Sequence, residues 1–203
     1  MSASGPQPEL HAAFALLAAG RGTRFGGGKL TADLAGRPLW RWAAESAVEA
    51  GLRHIHVVTN DAIVTRECEA AGWTAHPNPQ ADEGMASSVR IAASATAQFE
   101  RMVLALADMP FIEPAHLRRL ASAPGVAFSR QPDRRDGVPA AFPRESGPRL
   151  SQLSGNRGAA SLAWPGAQSF SPALNESLFD VDTPEDLERA QAIALRLCQE
   201  VPR

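Results

Sequence analysis

The chain is poor in cysteine, and that excludes a disulfide scaffold. Only Cys68 and Cys198 occur among 203 residues. No CxxC pair suggests a metal knuckle, and two thiols in helical segments read as reduced and largely buried. A reducing, cytoplasmic setting fits that usage. There is also no excess of one charge. A formal net charge of -2 argues against a general nucleic-acid binder, which would show a basic excess or stripe. No apolar run approaches the about 20 residues needed to cross a bilayer, so no membrane partner is expected. Residues 1–11 contain Pro6 and Pro8 and lack the basic and apolar regions of a signal peptide; they read as a frayed tail. Repeats and low-complexity linkers are missing too. What remains is a globular composition, 44% hydrophobic and 21% charged, of a length suited to one domain over residues 12–203.

Short apolar runs alternate with helical patterns. The run from Ala12 to Ala19 breaks at Gly20, as a buried parallel strand would. Further strands are expected at His54–Thr59, Trp73–His76 and Met102–Ala107, with weaker ones at Val126–Phe128 and Val138–Phe142. Helices are expected from Pro38 to Ala50, after Asp61, from Ser87 or Ser88 to Gln98, over Glu113–Ala121, and shortly over Pro148–Leu153 and Gly158–Trp164. Thr183 as N-cap and Pro184 at the first helical position start the last helix, whose Leu187, Ala190, Ala194 and Leu197 share a face. Such alternation implies βαβ units and a largely parallel sheet covered on both faces. Ligands of such sheets bind beyond the carboxyl ends of the strands. The loops after Ala19, Thr59 and Ala107 are therefore the places for chemistry.

The first of these runs from Gly20 to Lys29. Its five glycines let backbone approach a ligand, and exposed N–H groups in such a loop form an anion nest. Arg21, Arg24 and Lys29 add positive charge, and nothing acidic interrupts them. A triphosphate explains that pattern. Two familiar phosphate motifs do not apply. The dinucleotide fingerprint fails because the glycine spacing after Gly22 is wrong, and the P-loop fails because Thr23 takes its first glycine position and Leu30 follows Lys29. Asp108 ends an apolar strand before Pro110, where a carboxylate can hold Mg²⁺ against substrate phosphates. Asp180 and Asp182 share a face of an extended segment; Asp182 is the better metal candidate, because Thr183 already explains the cap. His54 and His56 share a strand face, but no third ligand is evident, so a structural role is expected.

The stretch Leu17-Ala18-Ala19-Gly20-Arg21-Gly22-Thr23-Arg24-Phe25-Gly26-Gly27-Gly28-Lys29 resembles the signature L-A-A-G-x-S-x-R-M-G-x-x-K of MobA-like nucleotidyltransferases. Asn78-Pro79 through Gly84 to Ser88-Val89, Ala107-Asp108-Met109-Pro110, Gly137-Val138-Pro139 with Phe142, and Asp180-Val181-Asp182-Thr183-Pro184-Glu185-Asp186-Leu187 resemble four further family segments, in family order. Within the family the chain looks most like molybdenum cofactor cytidylyltransferases, because guanylyl-transferring relatives usually carry L-A-G-G at Leu17–Gly20.

That resemblance implies a Rossmann-like three-layer α/β/α sandwich with a mostly parallel mixed sheet, of the nucleotide-diphospho-sugar transferase type. It implies an Mg²⁺-dependent transfer from CTP to the phosphate of molybdopterin, releasing pyrophosphate. Lys29, Arg24 and Asp108 would be catalytic. Leu17, Ala18, Ala19, Gly20, Arg21, Gly22, Lys29, Asn60, Asn78 and Ser88 would bind the nucleotide, and Asp108 with Asp182 would bind the metal. Asn156 stands where the family commonly has an acid, in a region expected near the acceptor. Asn60 stands where many cytidylyl members have glycine and guanylyl members asparagine. The alternatives are guanylyl transfer to the same cofactor, transfer to a sugar or isoprenoid phosphate, and a nucleotide-binding regulator without turnover.

Overall fold

The computed structural model describes residues 11–20 and 25–200, with side chains through 197. Arg21, Gly22, Thr23, Arg24, the side chain of Cys198 and most of the expected N-terminal tail lie outside them. The elements are β1 (Ala12–Ala18), β2 (Asp33–Leu34), β3 (Arg37–Pro38), α1 (Leu39–Glu49), β4 (His54–Thr59), α2 (Ala62–Ala70), β5 (Thr74–His76), α3 (Met85–Ala95), β6 (Arg101–Leu106), α4 (Pro114–Ala121), β7 (Ala127–Arg130), β8 (Asp136–Pro143), α5 (Gly147–Leu150), β9 (Gln168–Phe170) and α6 (Pro184–Glu200).

Seven strands form one sheet in the order β5-β4-β1-β6-β8-β7-β9. All neighbouring pairs are parallel except β6–β8 and β7–β8, so β8 alone runs against the rest. The sheet is thus mostly parallel and mixed, as expected. β1 is buried along its whole length because its two neighbours and both helical layers cover it. Phe14 and Leu16 meet Trp40, Ala44, Val64 and Leu117 on one face. Ala15 and Leu17 meet Ala86, Val89 and Leu150 on the other. Those two faces make the three layers.

Local chemistry sets the helix ends. The Asp61 carboxylate accepts from the backbone N–H groups of Ile63 and Val64 at 2.8 and 3.2 Å and starts α2. Thr183 starts α6, with its hydroxyl accepting from Asp186 N at 3.2 Å, and the Asp186 carboxylate accepts in return from Thr183 N at 3.1 Å. This reciprocal cap satisfies donors that would otherwise lack partners. Ala190 and Ala194 of α6 then bury against Leu34, Leu39 and Phe111, with Leu187 and Leu197 partly buried beside them.

Several expected elements differ. α3 begins at Met85 after Gly84, with no side-chain cap; Ser87 and Ser88 lie inside its first turn and serve other bonds, described below. The helix expected at Pro148–Leu153 is the four-residue α5, and Gly158–Trp164 holds only one 3₁₀ turn, Ala159–Ser161. The weaker strands are longer than expected, at β7 and β8. The hairpin β2–β3 and the edge strand β9 have no sequence counterpart above, because two- and three-residue strands are too short to show alternation. The hairpin turns through Ala35 and Gly36, both at positive φ, and α6 grips it: Gln191 Oε1 accepts from Ala35 N at 3.0 Å and Gln191 Nε2 donates to Asp33 O at 2.8 Å. No described helix is long and apolar enough to cross a membrane.

Candidate active site

The chain reverses direction across the sheet at β1: β4 and β5 lie on one side of it, β6 on the other. Helices must diverge there, which opens a crevice at the carboxyl ends of the strands. A cavity of about 450 Å³ occupies that place. Leu17, Ala18, Ala19, Gly20, Lys29, Ser88 and Asp108 line it. A compartment of about 300 Å³ adjoins it, sharing Ala18, Ala19, Gly20 and Lys29 and reaching Asn60. Residues scattered over the sequence therefore converge because most of them end a strand or lie in the loop after one, while Ser88 comes from the first turn of α3.

The described part of the glycine loop carries its own conformational demand. Gly26, Gly27 and Gly28 all lie at positive φ, at 84, 105 and 65°, where other residues are strained. This turn delivers Lys29 into the crevice at the start of a 3₁₀ turn, Lys29–Thr31. Lys29 Nζ donates to Asp108 Oδ2 at 2.6 Å and lies 3.4 Å from Asp182 Oδ1. The Lys29 side chain is 10% exposed and that of Asp108 21%.

Asp182 reaches this pair through a backbone contact that the sequence does not announce. Val181 N donates to Asp108 O at 2.9 Å, which lays the segment before α6 along the end of β6. Asp180 arrives with it. The Asp180 residue is solvent-exposed, yet its carboxyl sits in a crowded acidic corner. Burial of the carboxyl pushes its pKa up to about 7, the charges of Asp108 and Asp182 push the same way, and Lys29 opposes them. The direction follows from the carboxylate cluster whatever the access of water to the rest of the residue.

Asn78 stands beneath the pocket and not in its lining. It is 0% exposed. Its Nδ2 donates to Ser87 Oγ and Ser88 Oγ at 2.8 and 2.9 Å, and its Oδ1 accepts from Gln80 N at 3.0 Å. Its backbone N–H donates to Asn60 Oδ1 at 2.8 Å, while Asn60 Nδ2 donates to its carbonyl at 2.7 Å. The Asn60 amide thus docks on Asn78 as a neighbouring strand would. Both asparagines tie the loops after β4 and β5 to α3, and Ser88 is held facing the cavity.

Sequence reasoning did not assign Asp82, Gly84, Met85 and Asn156 to the nucleotide or metal site, yet they line the cavity. Gly84, at φ +97°, has no room for a side chain: a Cβ there would meet Asn156 Oδ1 at 2.2 Å and Gly155 O at 2.7 Å. That contact closes one wall and explains the glycine in the Asn78–Val89 segment. The paired histidine reading also gains a partner. His56 Nδ1 lies 2.9 Å from His76 Nε2 and the two rings stack. Burial first, then the neighbouring His76 and His54, lowers His56 to about 4. This pair lies away from the cavity and is structural.

The acidic corner suits a divalent ion on one direct observation. Asp108 Oδ1 is buried and has no hydrogen-bond partner among the described residues, a costly state for a carboxylate oxygen unless a cation meets it. Carboxylate oxygens are hard donors of the kind Mg²⁺ takes. No group of three His, Cys, Asp or Glu side chains among the described residues is arranged to hold a metal alone. An ion here would need oxygens from a ligand as well.

Similar folds are found among solved structures. A nucleotidyl transferase from Methanothermobacter thermautotroptrophicus matches with a TM-score of 0.80 at 22% identity, covering 92% of this chain and 98% of that one. A CMP:2-keto-3-deoxy-manno-octonic acid synthetase complexed with CTP matches with a TM-score of 0.71 at 20% identity, over 94% and 99%. Molybdopterin-guanine dinucleotide biosynthesis protein A from Archaeoglobus fulgidus matches with a TM-score of 0.65 at 18% identity, over 90% and 98%. A search of curated protein sequences finds no match. Residues 14–168, well over half of the chain, match the family model of the MobA-like NTP transferase domain. The chain belongs to the MobA-like NTP transferase family, and its reaction is nucleotidyl transfer.

Proposed function

We propose that the protein transfers CMP from CTP to a phosphate-bearing acceptor, molybdopterin being the favoured one, with Mg²⁺ as cofactor. The observation that carries the reading is the meeting of Lys29 with Asp108 and Asp182 at the mouth of β1 and β6. In the reaction an oxygen of the acceptor phosphate bonds to the α-phosphorus of CTP, the α–β bridging P–O bond breaks, and pyrophosphate leaves with the electron pair. No protein nucleophile is required, because positioning and electrostatics carry such transfers.

Lys29 binds triphosphate oxygens and balances the charge that grows on the leaving pyrophosphate. Arg21 and Arg24 are proposed to join it. Backbone of the glycine loop cradles the phosphates. Asp108 and Asp182 would hold the ion, which when bound would neutralise the triphosphate and polarise the reacting phosphorus. Leu17, Ala18, Ala19, Gly20 and Gly22 bring the first loop against the nucleotide, with Ser88 opposite. Asn60 and Asn78 act from behind by fixing the loops that face it.

Support for CTP comes from Ala18-Ala19-Gly20, the cytidylyl form of the motif, and from the neighbouring fold that was solved with CTP. The match to a molybdopterin-guanine dinucleotide protein keeps guanylyl transfer as the second reading. Thermal stabilisation of the protein by each of four nucleoside triphosphates with Mg²⁺ separates the two. The largest shift is expected with CTP; a larger one with GTP would reverse the base assignment. Pyrophosphate release with molybdopterin, sugar phosphates and isoprenoid phosphates then identifies the acceptor. Binding without release on any of them would favour a regulator.

A further inference from the structure

We infer that Lys29 is a tethered counter-ion for the metal site: it holds the carboxylates of Asp108 and Asp182 until a triphosphate draws it away, so the site does not load a divalent ion on its own. This rests on the reading of the corner as a metal-triphosphate site.

The geometry is specific. Lys29 Nζ makes a short, charge-assisted bond of 2.6 Å to one oxygen of Asp108 and stands 3.4 Å from Asp182. With side chains 10% and 21% exposed, the Lys29–Asp108 pair is only partly wetted, and partly buried charges are weakly screened. The second Asp108 oxygen, Oδ1, is the buried one with no partner among the described residues. A divalent ion entering alone can reach that oxygen but meets the ammonium on the other. If it displaces Lys29, the ammonium loses its partners in a pocket that water reaches poorly. Either route opposes binding.

A triphosphate removes both obstacles. It offers Lys29 a new anionic partner, and it supplies the oxygens that a two-carboxylate site lacks. The Lys29 side chain is an unbranched four-carbon stem with a rotatable ammonium, so it can turn from the carboxylates to a phosphate without a change of backbone. Metal and triphosphate therefore raise each other's affinity, as reciprocal linkage requires, and part of that coupling belongs to the Lys29 charge and not to direct chelation.

Manganese binding to the full chain without nucleotide tests this, read by the electron paramagnetic resonance of free Mn²⁺. Lys29→Gln is expected to bind Mn²⁺ alone about tenfold or more tighter than the unaltered protein, within the usual range of such couplings. Lys29→Met, which keeps the apolar stem, is expected to do the same and serves if glutamine disturbs the fold. Equal Mn²⁺ affinity in the unaltered protein and in the folded variant would overturn the inference. Asp108→Asn, measured with the α,β-methylene analogue of CTP present, separates the two levels. Loss of Mn²⁺ loading there supports the site, so an indifferent Lys29 would then remove only the counter-ion role. Unchanged loading would remove the metal site itself, and the inference with it.

Discussion

With none of its surface exposed, the Asn78 side chain donates to the hydroxyls of Ser87 and Ser88 on α3 and accepts from the backbone N–H of Gln80. Replacing it with alanine strips buried hydroxyls and an N–H of their partner, and each such loss costs about 1–3 kcal/mol. Asn78→Ala is therefore expected to lower unfolding free energy by roughly 2 kcal/mol or more, measured by urea denaturation. A change under about 0.5 kcal/mol, the size of an ordinary surface substitution, would contradict the supporting role. The sequence marks Asn78 as part of a motif but cannot show which way it points, because burial of a loop amide depends on what packs over it. The histidines follow the same logic. His56 takes up its proton only near pH 4 in the folded chain and near 6.5 unfolded. Between those values the unfolded chain binds more protons, so stability rises with pH. It is fully present above about 6.5 and lost as pH falls through 4. The loss from this group is on the order of 3 kcal/mol. Denaturation of the unaltered protein between pH 4 and 7 should show it, and His56→Gln should flatten that slope. A slope that survives the change would assign the effect to other groups.

At the scale of elements, the legible parts were those with local signals. The apolar runs of β1, β4 and β6 and the caps Asp61 and Thr183 place their elements within a residue or two. The hairpin β2–β3 was hidden because its two-residue strands carry no periodicity and because α6, through Gln191, holds it from a distance of more than 150 positions in sequence. The start of α3 differs from expectation because its serines look like caps, yet both accept from Asn78 Nδ2 and Ser87 donates to Gly84 O. Gly84 itself fixes how α3 meets the Gly155–Asn156 loop, where Ala86 N donates to Gly155 O at 3.0 Å. Gly84→Ala places a Cβ against that carbonyl in a backbone region that disfavours side chains. The expected result is a loss of about 1–3 kcal/mol of stability together with a raised KM for acceptor or nucleotide. Calorimetry and steady-state kinetics on the variant check both. Unaltered stability and KM would show that the wall yields freely.

Across the whole molecule, a doubly covered sheet gathers loops that are far apart in sequence onto one edge. Lys29, Asp108 and Asp182 could be named from sequence because each follows or precedes an element with a clear signature. Their mutual contacts could not, because the Val181–Asp108 backbone bond that brings Asp182 beside Asp108 and the reach of Lys29 to both arise only from tertiary folding. Asp180, set aside in favour of Asp182, shares the acidic corner for the same reason. This corner is the proposed place of nucleotidyl transfer. Pyrophosphate release from CTP with Mg²⁺ and molybdopterin, compared between the unaltered protein and Asp108→Ala, tests it most directly. Release by the unaltered protein is expected, with a loss of about a hundredfold or more in the variant and no change in its circular dichroism. A folded Asp108→Ala that releases pyrophosphate at the original rate would contradict it.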